Sequence, residues 1–91
     1  MPLFRRQVPE QVDQAHELAI ASAVGDRPAL ADCNRWSISS ISLMGEQPDG
    51  DRAYRVAVIG WYDEDESWPF IWEVQTGKVN GAVRALYWLP L

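Results

Sequence analysis

Between Tyr54 and Val79 apolar and polar residues alternate in two runs separated by four consecutive carboxylates, the pattern of two β-strands joined by a hairpin. In the first run Tyr54, Val56 and Val58 share one parity, and Arg55, Ala57, Ile59 and Trp61 share the other. Both faces carry apolar residues, as in a central strand. In the second run Phe70, Trp72 and Val74 point one way and Ile71, Glu73 and Gln75 the other. Pro69 falls near the start of that strand, where it is tolerated, and Thr76-Gly77-Lys78 reads as the turn that closes it. Upstream, Trp36 and Ile38 have one parity whereas Ile41 and Leu43 have the other, which predicts a β-bulge near Ser39-Ser40. The intervening loop turns at Asp49-Gly50.

The first third of the chain has a different period. At 100° per residue Val8, Val12, Ala15, Ala19 and Ala23 share one face, with Leu18 and Ile20 on its flanks. Asp13, Gln14, Glu17 and Ala21 lie opposite. This predicts an amphipathic helix of about four turns, with Pro9 and the acidic Glu10 in its first turn, Gly25 as its C′ residue and Pro28 as the stop. Its small alanines suit close approach to a flat sheet. Residues 1–8 read as a loose segment, and 26–35 as a turn with a short helical piece. Residues 80–89 fit either a closing strand or a short helix ending before Pro90, and the helix is the favoured reading. The expected architecture is one α+β domain over residues 1–91. An N-terminal amphipathic helix packs across an antiparallel sheet of three strands, or of four if 80–89 is a strand.

With 91 residues there is room for one modest core, so the five tryptophans, three tyrosines and two phenylalanines weigh heavily in it. Any that stay on an uncovered sheet face favour a protein partner or a homodimer. The net charge is −5, from eight basic and thirteen acidic side chains. That balance opposes direct binding to nucleic acid or to an anionic membrane, and it is compatible with a protein partner whose surface is basic. Cys33 is the single cysteine, so no internal disulfide forms. No apolar run follows Arg5-Arg6 and no segment has the roughly 20 apolar residues of a membrane span, so the chain reads as cytoplasmic.

Catalytic chemistry finds little support in these residues. His16 is the single histidine, at the rim of the helical stripe, and a metal site would need further ligands. A dyad of His16 with Cys33 would require the fold to bring them together. The run Asp63-Glu64-Asp65-Glu66 lacks the alternating ligands and glycine of a calcium loop, and mutual repulsion predicts an extended, solvated connection. Arg52, Arg55 and Arg84 are placed to pair with Glu73 or with that loop. The Gly-rich phosphate motifs are absent, and no cofactor is expected.

The same order of elements resembles the PepSY domain family: an amphipathic helix, a strand, a turn into a Tyr-x-Val strand, and a strand ending in Thr-Gly-Lys-Val. The matching pieces are AHELAIASAV, SISSISLM, PDGDRAYRVAV and FIWEVQTGKV, over residues 12–80. Where that family commonly has an acidic-Ala pair before its turn, this chain has Glu73, Val74 and Gln75, and it lacks the family's usual export signal. The resemblance implies a small non-catalytic module that binds or restrains peptidases and other partners. It carries over no catalytic residue.

Protein binding is therefore the expected function, through an aromatic sheet patch and an acidic hairpin loop. The candidate contact residues are Trp61, Tyr62, Asp63, Glu64, Asp65, Glu66, Trp68, Trp72 and Trp88, with Trp68 the best exposed. Tryptophan and tyrosine are the residues most enriched at interface hot spots. The alternative is an acidic inhibitor that imitates nucleic acid and fills a basic groove. A small enzyme using His16 and Cys33 is the third reading.

Overall fold

The computed structural model describes residues 13–91. The loose segment 1–8, the helix start at Pro9 and Glu10, and the contributions of Val8 and Val12 to the helical stripe lie outside those residues. Helix α1 spans Gln14–Val24, and Asp13 caps it by accepting a hydrogen bond from the Ala15 N–H at 2.9 Å. A single 3₁₀ turn follows at Pro28–Leu30. Four strands complete the chain: β1 (Arg35–Glu46), β2 (Arg52–Trp61), β3 (Ser67–Val79) and β4 (Ala82–Pro90). They form one antiparallel sheet in the order β1-β2-β3-β4. The fold is thus α+β, with α1 lying on one face of the sheet against β3 and β4.

That face holds the core. Ile20 and Val24 of α1 and Leu30 meet Ile41 of β1, Tyr54, Val56 and Val58 of β2, and Trp72 and Val74 of β3. Trp72 stacks on Phe70 at 5.6 Å and meets Trp88 edge-on at the same centroid distance. The buried row of the helix is His16, Ile20 and Val24, not the alanine stripe. Ala15 is exposed, Ala19 and Ala23 are half-buried, and Leu18 is 60% exposed. Burial follows apolar area, and a row with Ile and Val buries far more than a row of alanines. The alanines instead border a shallow hollow against Val83, Arg84 and Ala85 of β4.

The strand parities of β1, β2 and β3 are as expected, including a register shift between Ile38 and Ser40; a second shift, between Leu43 and Gly45, is not anticipated by the alternation. Gly50 has φ +95, in keeping with the Asp49-Gly50 turn. Two expectations fail. Residues 82–90 are a strand rather than a helix, because they pair with the free edge of β3. Thr76-Gly77-Lys78 is not a turn but runs on within β3, and the chain reverses at Asn80-Gly81. Both of those residues have positive φ (53° and 84°), as a type I′ two-residue hairpin turn requires. Pro69 costs no ladder bond on the β4 side, since the β3–β4 pairing reaches no further than Trp72 opposite Pro90. Among the described residues no helix is long and apolar enough to cross a membrane.

Candidate functional site

The end of the sheet formed by the β2–β3 hairpin gathers most of the residues expected to bind. Its loop is closed rather than extended. The Asp63 carboxylate accepts hydrogen bonds from the N–H groups of Asp65 and Glu66, each at 2.8 Å, and the Tyr62 N–H donates to the Glu66 carbonyl at 2.9 Å. An Asx turn satisfies the loop's own donors, which outweighs the repulsion among screened surface carboxylates. Asp63, Glu64, Asp65 and Glu66 are all exposed. Asn34 anchors the hairpin from outside: its N–H donates to the Trp61 carbonyl at 2.7 Å and its side-chain amide to the Tyr62 carbonyl at 2.8 Å.

Trp61 and Trp68 leave this hairpin on opposite sides of the sheet. Trp61 pairs with Ser67 on the face away from α1, where the Arg35 guanidinium lies 4.1 Å above its ring. Trp68 pairs with Gly60 on the helix side and is 60% exposed. Trp36 flanks Gly60 from β1. Between them Gly60 must stay bare: a Cβ there would come within 2.6 Å of Cys33 Sγ and 3.2 Å of Leu30 Cδ2. The Tyr62 phenol is pushed up by desolvation and by Cys33 beside it.

Trp72 and Trp88 do not join that group. Trp72 is 5% exposed, at the centre of the core, and Trp88 is half-buried beneath Arg27, whose guanidinium sits 4.9 Å from its ring. Both are packing residues, so of the tryptophans expected in an aromatic sheet patch Trp72 and Trp88 belong to the helix-side packing instead. Strand parity sends Trp61 one way, and the helix covers Trp72.

His16 is buried, with Nδ1 2.6 Å from Thr76 Oγ1. The Thr76 hydroxyl lies 3.4 Å from the Arg52 carbonyl, which it reaches as donor. Burial first, and then the Arg52 guanidinium, lower the His16 pKa. The ring borders a small hollow shared with Asp49, Asp51, Gly77 and Lys78. Cys33 is far from it. Thr76 pairs with Arg52 at one end of β2 and Cys33 packs on Gly60 near the other, eight residues or about 27 Å away. The His16–Cys33 dyad is therefore not assembled. Arg52 pairs with Glu46 at 3.4 Å rather than with Glu73 or the acidic loop, while Arg55 stands opposite Glu73 in register. Among the described residues no three His, Cys, Asp or Glu side chains group as metal ligands.

One surface shares only Trp61 with the residues picked from the sequence: the sheet face turned away from α1. It carries Ala57, Ile59 and Trp61 from β2, Ile71 and Glu73 from β3, and Tyr87 and Leu89 from β4. Ile71 is 43% exposed, Tyr87 51% and Leu89 48%. Nothing among the described residues lies over it. A polar chain crosses its lower part, with Tyr87 donating to Gln75 and Gln75 donating to Asp51 at 3.4 Å. The alternation in β2 and β3 contains the signal for this face. It does not show that 82–90 is a strand, nor which side of the sheet α1 takes. No protein-family model matches the chain, and neither does any curated protein or solved structure.

Proposed function

We propose that this chain is a non-catalytic protein-binding module that meets a partner with a basic surface through the β2–β3 hairpin end. The observation that carries this reading is the closed loop itself. It holds exposed carboxylates on a rigid two-stranded support, next to a tryptophan with 60% of its surface exposed. Binding residues are commonly presented on loops fixed by a scaffold, and an exposed aromatic beside charge is a typical anchor. Restraint of a peptidase in the manner of the PepSY family is one form such binding would take.

The second reading is an acidic mimic of nucleic acid that occupies a basic groove. The four successive carboxylates and the net charge of −5 favour it. The two readings differ in what dominates the contact. Capture from lysate of the source cell at low and high salt, with wild type beside Trp68→Ala and a fourfold variant (Asp63→Asn, Glu64→Gln, Asp65→Asn, Glu66→Gln), separates them. Asn at 63 keeps the carbonyl acceptor of the loop. A partner lost with Trp68→Ala and retained at high salt supports the aromatic anchor. A partner lost with the fourfold variant and at high salt, but indifferent to Trp68→Ala, supports mimicry. A partner that neither variant affects would overturn the hairpin end as the contact.

A further inference from the structure

The open sheet face is complementary to itself. In three of its register rows, those of Trp61, Ala57 and Ala53, a large residue on one side of the β2–β3 midline is matched by a small one on the other. Trp61 stands opposite Ser67, and Ile71 opposite Ala57. In the next row Ser42 of β1 and Leu89 of β4 lie at the two ends, with Arg55 and Glu73 between them. Gly45 and Tyr87 end the row after that. On this face β1 carries Arg35, Ser37, Ser40, Ser42 and Gly45, whereas β4 carries Arg84, Tyr87 and Leu89.

We propose that this face is the interface of a homodimer, formed about a twofold axis parallel to the strands and midway between β2 and β3. Such an axis lays each row of one copy over the same row of the other in reverse order, as an isologous contact requires. Ile71 of one copy then sits over Ala57 of the second, and Leu89 over Ser42. Arg55 sits over Glu73 twice, once in each direction. Two sheets pack face to face about 10 Å apart with strands crossing at roughly 30°, so the match is tightest in the central rows of Ala57 and Arg55. A twofold axis across the strands would instead stack Arg55 on Arg55.

Area and charge agree with this occupant. Four strands about 4.8 Å apart and ten residues long make a face of roughly 600 Å² in projection. Side-chain relief brings its accessible area towards the roughly 800 Å² per partner of a standard interface. The face bears Arg35, Arg55 and Arg84 against Asp51 and Glu73, so the acidic surplus of the chain lies elsewhere and does not oppose the approach. The hairpin loop stays outside the interface, and this proposal stands independently of what that loop binds.

Sedimentation equilibrium from micromolar to millimolar protein tests it, with amide spectra confirming that each variant is folded. Wild type is expected to reach the mass of two chains. Arg55→Glu and Glu73→Arg each set like charges against each other twice across the axis, and each is expected to weaken self-association by at least about tenfold. Mixing the two variants in equal amounts restores opposite charges in the heterodimer alone, so the dimer is expected to return. Pairing within one chain cannot produce that rescue. Ser42→Arg, at a solvent-facing strand position, is expected to weaken the dimer similarly by meeting Leu89. A wild type that stays a single chain throughout overturns the proposal. So does a dimer indifferent to all three variants, or a mixture of the two charge variants that fails to associate.

Discussion

His16 shows how one residue's surroundings set a measurable property. Burial, and after it the Arg52 guanidinium, hold its folded pKa below the ordinary value, while Asp13, Glu46 and Asp51 pull more weakly the other way. The unfolded chain keeps a histidine pKa of about 6.5. Between the two values the unfolded state binds the extra proton, so the stability that neutral His16 contributes is complete above about pH 6.5 and is lost as pH falls through the lowered value. The urea midpoint of wild type is expected to drop more between pH 7 and pH 5 than that of His16→Gln. Equal drops, or an imidazole titration above 6.5 by NMR, would show that the ring is not held neutral. The helical wheel puts this histidine at the rim because it weighs alanine as an apolar residue. Alanine buries little, and Ile20 and Val24 turn the helix so that His16 goes inside with them.

At the level of elements, the strands are legible wherever side chains alternate, because one buried face imposes a period of two on the sequence. The bulge near Ser39-Ser40 shows as a break in that period, and Asp49-Gly50 shows as a turn. The β3–β4 hairpin was harder to see. Thr76-Gly77-Lys78 looks like a turn locally, yet Gly77 lies in the strand opposite Arg84, and glycine stands there because a Cβ would meet the Asp51 carboxylate. The operative signal is Asn80-Gly81, and it makes sense only once Ala82–Pro90 is recognised as a strand. The open face was illegible for a different reason. Alternation names the residues on each side, but the rows that make the face self-complementary exist only in the register between strands. Gly81→Ala forces an alanine to φ +84 and is expected to cost about 1–2 kcal/mol. That corresponds to a Tm drop of roughly 4–8 °C per kcal/mol for a domain of this size. Gly25→Ala, where φ is −62 and a Cβ comes no nearer than 3.4 Å to the Trp36 ring, serves as the control and is expected to leave Tm nearly unchanged. Equal losses at both sites would count against the turn assignment.

For the whole molecule, the order β1-β2-β3-β4 repeats the order of the chain. Each strand is joined to its neighbour by a short connection, residues 47–51, 62–66 and 80–81. The helix is the exception: its contact from His16 to Thr76 spans sixty residues. Closing a short loop costs less chain entropy than closing a long one, and local contacts form sooner. The hairpins are therefore expected to appear before α1 settles on them. In stopped-flow refolding, Gly81→Ala should slow folding, whereas Ile20→Ala, expected to cost about 2–5 kcal/mol, should act chiefly by speeding unfolding. An Ile20→Ala variant that slows refolding in proportion to its lost stability would reverse the order. Until the helix arrives, both faces of the nascent sheet are wet. In the time course of folding α1 acts as a latch: it decides late which of two half-apolar faces becomes the inside, and it leaves the other free.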